Sequence, residues 1–114
     1  WYIQPASGQI MGFAALYNHV TDGSGKGFPA CVVITTEATA LIRPVHNRMP
    51  CMLRLDEFDS WLADGRDTNF LKEMVRTRLP LDMIMHEVSR AVNSPRYDDP
   101  ACIEPVSSTP LLSG

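Results

Sequence analysis

The order of segments along this chain predicts an α+β fold, because strand-like segments come first, two short helices follow and one more strand comes after them. The run VVITT at residues 32–36 is β-branched and typical of a strand. Two later segments space their apolar residues as amphipathic helices do. The 114 residues, 45% hydrophobic and 20% charged, have the size and composition of one globular domain.

The first part of the chain predicts an antiparallel pair of strands. Residues 1–4 form a strand fragment before a Pro-Ala-Ser-Gly turn. Residues 9–20 (QIMGFAALYNHV) are apolar almost throughout, and their aromatic and β-branched content favours a buried strand. The three glycines within residues 21–27 favour a hairpin loop, and residues 28–36 supply the return strand.

Two helices are predicted in the middle of the chain. Asp56 is placed to cap a helix over residues 57–63. Thr68 or Asn69 is placed to cap a second helix, which the spacing of apolar residues extends through Arg78.

The remaining segments are shorter. Residues 37–42 favour a helical turn that Pro44 ends. Residues 49–54 and 83–89 are predicted as short strands. From residue 107 the chain is polar and broken by proline, so we expect a flexible tail over 107–114 after an ordered region over 1–106.

Charge, hydropathy and cysteine content limit the classes of function that the sequence favours. The net charge of −3 argues mildly against a free-standing nucleic-acid binder, which usually has a basic excess. No stretch approaches the ~18 uninterrupted apolar residues of a membrane span, so no membrane partner is predicted. Three cysteines without a CxxC pair predict free thiols in a reducing, cytoplasmic compartment. The chain begins with Trp1 and has no signal peptide, so it is expected to be processed or a piece of a longer protein.

The most unusual segment is ITTEATALIRPVHNRMP, residues 34–50. It carries His46 between two prolines that stiffen the backbone, beside Arg48. Imidazole is suited to general acid–base catalysis, and a guanidinium group is suited to phosphate or carboxylate. The alternative is that His46 is simply a hydrogen-bonded turn residue.

Further candidates for DNA contact are polar residues in two other places. The hydroxyls of Thr35 and Thr36 end a strand, and either face a phosphate or merely reflect β-propensity. Asn93 and Arg96 lie in an irregular but glycine-poor segment that predicts an ordered loop. They either contact backbone phosphates or serve turn chemistry and salt bridges.

The spacing of the cysteines in the sequence gives little support to a metal site or to thiol chemistry. Cys31, Cys51 and Cys102 lack the close ligand pairs of zinc sites, so no metal and no cofactor are predicted. A cysteine hydrolase that pairs Cys102 with His46 stays open as a weaker hypothesis.

Three segments in this order resemble one family: ITTEATALIRPVHNRMP at 34–50, LDEFDSWL at 55–62 and VSRAVNSPRYDDPACIEPV at 88–106. They are similar to the C-terminal half of the SRAP family, the SOS response-associated peptidases that act as abasic-site processing proteins. The opening WYIQPASGQIMGFAALY is also similar to that family. The resemblance implies a mixed, largely antiparallel, barrel-like sheet with short flanking helices.

The resemblance also implies a chemistry. Family members recognise abasic sites in single-stranded DNA, and an N-terminal cysteine forms a thiazolidine cross-link with the sugar aldehyde. The same cysteine is exposed by autocatalytic removal of the initiator Met. His46 matches the catalytic histidine, and Thr35 matches a threonine at the DNA site. The nucleophile lies in the other half of the family's domain, and none of the three cysteines here matches it.

These implications lead to two principal hypotheses. In the first, the parent protein captures abasic sites covalently in single-stranded DNA near the nucleoid, using His46 as acid and base with Thr35, Thr36, Arg48, Asn93 and Arg96 near the DNA. Its partners are that DNA and the missing N-terminal half of the same domain. In the second, these residues form a non-catalytic fragment that binds DNA or a partner.

Overall fold

The computed structural model describes residues 1–106 and the short stretch 111–112, and it confirms the α+β class. The strands and helices are β1 (Tyr2–Pro5), β2 (Gly12–Phe13), β3 (Ala15–Thr21), β4 (Gly27–Val33), β5 (Thr35–Glu37), β6 (Arg48–Pro50), β7 (Met52–Leu53), α1 (Phe58–Leu62), α2 (Thr68–Met74), β8 (Met83–His86) and β9 (Leu111–Leu112). Short 3-10 helices cover Leu55–Glu57, Arg90–Asn93 and Pro100–Ile103. Pairing is antiparallel throughout these residues, and no closed barrel forms among them.

The chain divides into two compact units. The first unit holds residues 1–10 and the described residues from 81 onward, and the second holds residues 11–80. The prediction of one domain over 1–106 stays a prediction. Of the expected tail, 111–112 pairs with β8 as β9, and the rest lies outside the described residues.

The second unit is organised around a junction of three backbones, formed by Ala14, Ile34 and Cys51. The Ala14 N–H donates to the Cys51 carbonyl at 2.9 Å, and the Cys51 N–H donates to the Ile34 carbonyl at 2.8 Å. The Ile34 N–H closes the ring by donating to the Ala14 carbonyl at 2.9 Å. Three two-stranded arms lead away from this junction: β2–β7, β3–β4 and β5–β6.

The junction explains why three predicted strands are each divided. The prediction of continuous strands over 9–20, 28–36 and 49–54 is wrong. Each of these three segments changes its pairing partner at a junction residue, and the strand is interrupted there. The β-propensity of single residues cannot predict where a strand changes its pairing partner. It reflects how well a side chain fits a pleated surface, not which strand lies beside it. Most residues of β3 and β4 are exposed, so the prediction of a buried strand in this region is also wrong for the chain by itself.

The apolar core of the second unit lies against this junction. Ala14 and Cys51 are fully buried, and they cluster with Leu53 and Met74. Around them pack the partly buried hydrophobic side chains Ile34, Phe58, Trp61, Leu71 and Val75. The Trp61 indole N–H also donates to the Ala15 carbonyl at 3.2 Å, which ties α1 to the start of β3.

Both helices are shorter than the sequence predicted. The first begins with a 3-10 turn after Arg54, and the expected cap at Asp56 is wrong because that carboxylate pairs with the Arg54 guanidinium instead. The second is capped by Asp67, whose side chain accepts from the Asn69 N–H, and it ends at Met74. Asp67 is the stronger cap because a carboxylate acceptor satisfies free N–H groups at the positive end of the helix.

The first unit is a small sheet in the order β1–β8–β9. Met83 and Met85 are buried there, on the inner face of β8. The irregular segment that follows is ordered as predicted, because Val88 forms a bridge with Pro105 and the His86 Nε2 lies 2.7 Å from the Ile103 carbonyl.

Gly12 offers a test of packing beside the junction. A Cβ added there would overlap the Phe58 ring, whereas one added at Gly23, in the β3–β4 loop, would meet no atom within 4 Å. We expect Gly12→Ala to lower the free energy of unfolding by about 1–3 kcal/mol, as overpacked cores do. Gly23→Ala is the matched control and should leave it nearly unchanged. Urea unfolding of both variants measures this; equal midpoints would contradict the packing.

The Glu57 carboxylate offers a test of pH dependence. It accepts from the Arg78 guanidinium and from the Arg54 N–H at 2.8 Å, and the hydrogen bond from Arg78 holds the pKa of Glu57 below its ordinary 4.5. A depressed folded-state pKa contributes stability above pH 4.5 that is lost as pH falls through the folded value.

We therefore expect Glu57→Gln to cost about 1–2 kcal/mol at pH 7, since hydrogen bonds to charged groups are the stronger ones. The difference from the parent chain should shrink as the pH is lowered below 4.5. Thermal melts across this range, with the exposed Asp59→Asn as control, measure it. A difference that stays constant down to about pH 3 would rule out the linkage.

Candidate functional site

The candidate site lies at the tip of the β5–β6 arm. After β5, the carbonyls of Thr39 and Ile42 accept hydrogen bonds that wind residues 39–46 into a helical turn, the last from the His46 N–H at 3.0 Å. The turn therefore continues through Pro44, and the prediction that Pro44 ends it is wrong. Proline is tolerated there because the hydrogen bonds of the turn are donated by the N–H groups of neighbouring residues and not by Pro44 itself.

The base of this turn is closed by strand pairing. Glu37 lies opposite Arg48, and Thr35 lies opposite Pro50. The Ala38 N–H extends the closure by donating to the Asn47 carbonyl at 3.0 Å. Below the turn, Ile42 is buried and Ala38 is almost fully buried, so the loop is packed rather than loose.

Arg48 reaches across the arm to Thr35. One terminal guanidinium nitrogen donates to the Thr35 carbonyl at 2.8 Å and to its Oγ1 at 2.9 Å. This contact follows from the register, because Thr35 is two residues from the position directly opposite Arg48 and so shares its face. Among the described residues, the remaining guanidinium N–H groups of Arg48 have no hydrogen-bond partner, and the side chain lies at an exposed surface where an anion can reach it.

His46 is oriented by the backbone of Arg48. The Arg48 N–H donates to the His46 Nδ1 at 3.0 Å, and the Arg48 carbonyl lies 3.1 Å from the same atom. Nδ1 therefore has a backbone partner whether it carries a proton or not. The ring is exposed, and among the described residues Nε2 has no hydrogen-bond partner, so Nε2 is the atom free to exchange a proton with a ligand.

Thr36 faces the opposite way from Thr35. Its side chain is buried and its hydroxyl donates to the Glu37 carbonyl at 3.2 Å. The alternation of side chains along a strand places neighbours on opposite faces, which is why only Thr35 joins Arg48. DNA contact by Thr36 stays a prediction.

Asn93 and Arg96 belong to the first unit, whereas Thr35, Thr36, His46 and Arg48 belong to the second. Asn93 ends the 3-10 helix Arg90–Asn93 and lines a polar cavity of about 240 Å³ with Trp1, Glu87, Val88, Ser89, Arg90 and Val92. Arg96 is exposed. Contact of either residue with DNA stays a prediction.

The three cysteines are free, as the sequence predicted. Cys51 is buried, Cys102 is half-buried with its Sγ 3.8 Å from the Tyr97 carbonyl, and Cys31 is exposed. Cys102 and His46 belong to different units, so their pairing stays a prediction. Among the described residues, no group of three His, Cys, Asp or Glu side chains could hold a metal ion, and no helix has the length and apolarity to cross a membrane.

Thr39 and Ile42 contribute to the geometry of the site, although the sequence analysis did not predict a role for either residue. Their carbonyls hold the turn that presents His46. The signal in the sequence was the apolar spacing of Ala38 and Ile42, four residues apart, which favours a turn with both side chains on its buried side. Pro44 obscured the continuation of this turn to His46.

Comparison with known proteins adds independent observations. The family model for "SOS response associated peptidase (SRAP)" matches residues 1–95. The Abasic site processing protein YoqW of Bacillus subtilis is 31% identical over 103 residues, which cover 90% of this chain and 46% of that protein. The Abasic site processing protein HMCES of Gallus gallus is 35% identical over 83 residues, which cover 72% of this chain and 24% of that protein.

A solved structure shares the fold. The crystal structure of a protein from Bacteroides thetaiotaomicron superposes with a TM-score of 0.77 at 20% sequence identity. The superposition covers 93% of this chain and 47% of the other. The chain therefore spans about half the length of YoqW and of this structural neighbour.

The position of the proton on His46 tests the site geometry. Because the Arg48 N–H needs an acceptor, we expect the neutral ring to carry its proton on Nε2. Long-range ¹H–¹⁵N spectra of the imidazole distinguish the two tautomers. Arg48→Ala keeps the backbone N–H and should keep the Nε2–H tautomer, which separates backbone from side-chain effects. A dominant Nδ1–H tautomer in the parent chain would refute this arrangement.

Proposed function

The chain belongs to the SOS response associated peptidase (SRAP) family, and on that premise we propose that the protein containing it recognises abasic sites in single-stranded DNA and captures them covalently. The observation that carries this proposal is the cluster of His46, Arg48 and Thr35 at the tip of the β5–β6 arm. It joins a proton carrier, a fixed positive charge and a hydroxyl on one exposed surface.

Arg48 is suited to hold the DNA. A guanidinium fixed at one end by Thr35 loses less side-chain freedom when it binds a phosphate oxygen than a free arginine would. Phosphate contacts position a nucleic acid without reading its bases, which fits a lesion that has lost its base.

His46 is suited to move the protons of capture. When an aminothiol condenses with the ring-opened sugar aldehyde, the amine nitrogen and the sulfur both bond to the aldehyde carbon and one water leaves. The departing oxygen gains two protons and leaves as water, while the amine loses one proton and the thiol loses the other. The protonated ring donates from Nε2 to the departing oxygen and keeps its other proton on Nδ1, 3.1 Å from the Arg48 carbonyl. The Nε2 lone pair can then accept a proton from the amine.

The aminothiol itself is expected from the other half of an SRAP domain, as the resemblance implies. The same N-terminal cysteine would become exposed by autocatalytic removal of the initiator methionine, which is the peptidase activity of the proposal. We place the protein with its DNA in the cytoplasm, near the nucleoid.

A second candidate is a binding role without covalent chemistry. It is favoured by Arg48, whose guanidinium is held by Thr35 at an exposed surface and can contact a phosphate without any covalent step. In this case the His46 loop would contact abasic DNA reversibly. Denaturation distinguishes the two candidates, because only a covalent adduct survives it.

A chimera tests the proposal. The part of YoqW that this chain matches is replaced by the 103 matching residues of this chain, and the product is incubated with single-stranded DNA that carries one abasic site. We expect a heat-resistant band on a denaturing gel. His46→Ala should slow its appearance by about 10²–10⁴-fold, the usual contribution of a general acid–base group.

The controls decide the interpretation. His19→Ala removes another exposed histidine, on the β3–β4 arm, and should leave the rate unchanged. Unmodified YoqW shows that the DNA is competent for capture. If YoqW forms an adduct and the folded chimera forms none, covalent capture through this chain is wrong. If His46→Ala and His19→Ala react equally fast, the proton-transfer role of His46 is wrong.

A further inference from the structure

A buried sulfur accepts a hydrogen bond at the start of the turn that presents His46. The Thr39 N–H donates to the Met49 Sδ at 3.5 Å. The Thr39 carbonyl accepts from the Ile42 N–H at 3.1 Å and from the Arg43 N–H at 2.9 Å. The Ile42 carbonyl then accepts from the His46 N–H at 3.0 Å. These hydrogen bonds form a continuous path through the backbone from the Met49 sulfur to His46.

The register of the β5–β6 arm places Met49 for this contact. Met49 lies opposite Thr36 and is 3% exposed, whereas Arg48, one residue earlier, lies on the exposed face. Strand β6 therefore contacts the His46 turn twice. The Arg48 backbone binds the imidazole, and the Met49 side chain binds the residue at which the turn begins.

The contact depends on the sulfur of Met49 and not only on its volume. A thioether is a weak hydrogen-bond acceptor, and an aliphatic side chain of similar size has no acceptor at all. Thr39 is half-buried, and among the described residues its N–H has no other acceptor. A buried N–H that loses its partner costs more free energy than the hydrogen bond itself contributes. A methionine that only filled the core would need its volume and not this sulfur.

We propose that Met49 is a positioning residue for His46, because its sulfur fixes the start of the turn that ends at the imidazole. The side chain is buried, so it acts through the turn and not on the DNA. Without the sulfur, residues 39–46 loosen and the Arg48 N–H reaches the His46 Nδ1 less often, while the Arg48–Thr35 contact is retained. The expected effect on capture rests on the proposed function of His46, whereas the effect on the turn does not.

Amide hydrogen exchange tests the contact in the 114-residue chain. Met49→Leu nearly keeps the side-chain volume and removes the acceptor. Met52→Leu is the matched control, because Met52 is 5% exposed and the bond from Thr39 to Met49 is the one hydrogen bond to a methionine sulfur among the described residues. We expect the Thr39 and His46 amides to exchange about tenfold faster in Met49→Leu than in Met52→Leu.

The imidazole distinguishes positioning from packing. We expect long-range ¹H–¹⁵N spectra of Met49→Leu to show a smaller fraction of the Nε2–H tautomer at His46 than in the parent chain, since the Arg48 N–H is less often in reach of Nδ1. Met52→Leu should keep the tautomer ratio of the parent chain. Circular dichroism verifies that both variants remain folded.

The chimera with YoqW separates positioning from DNA binding. With Met49→Leu, we expect the rate of adduct formation at saturating abasic DNA to fall about tenfold, because the imidazole is less well aligned. The DNA concentration that gives half of the maximal rate should stay within about twofold, because the Arg48–Thr35 contact remains. Met52→Leu should change neither value.

The outcomes are distinct. Faster exchange, an altered tautomer ratio and slower adduct formation in Met49→Leu alone support the positioning role. Equal exchange in the two variants, or an unchanged tautomer ratio in Met49→Leu, would overturn it. A higher half-saturating DNA concentration at an unchanged maximal rate would also overturn it, because DNA binding and not His46 would then depend on Met49.

Two results need no variant or no DNA. A Thr39 amide that exchanges in the parent chain as fast as in an unstructured peptide would overturn the proposal directly. If the unsubstituted chimera forms no adduct, the proposed function fails, but the exchange and tautomer measurements still decide the role of Met49.

Discussion

The ring of three hydrogen bonds among Ala14, Ile34 and Cys51 is the constraint on which the second unit depends. Each residue donates to one neighbour and accepts from the other, so three chain segments meet without leaving a buried backbone group unpaired. Ala14 and Cys51 are small enough to be fully buried where the backbones converge. All three arms are oriented from this point, including the arm that carries the candidate site.

The geometry of the candidate site is determined by the strand register of the β5–β6 arm. With Glu37 opposite Arg48, the guanidinium reaches Thr35 and the Arg48 backbone faces the His46 ring. A slip of one residue would turn Arg48 to the other face, where Thr36 is buried. The register thus decides which of two adjacent threonines can contact a ligand.

The sequence could single out residues of the candidate site, but not the contacts between them. The prolines around His46 and the hydroxyls of the preceding strand drew attention to this loop, and the SRAP resemblance implied a chemistry for it that stays a prediction. Propensity could not show that Arg48 binds Thr35, because that contact joins residues 13 apart and depends on pairing. It also missed the strand breaks at the junction and the exposure of the β3–β4 arm, since both are set by neighbours in space rather than along the chain.

The way in which His46 is held separates two functions of Arg48. Its backbone orients the imidazole, and its side chain presents the positive charge, so a substitution of the side chain leaves the first function intact. A histidine oriented by a carboxylate would lack this independence, because the orienting group would also place a negative charge on the imidazole. Orientation by backbone atoms therefore leaves Glu37, opposite Arg48 on the neighbouring strand, as the carboxylate of this strand pair, and it lies across from the cation rather than on the His46 ring.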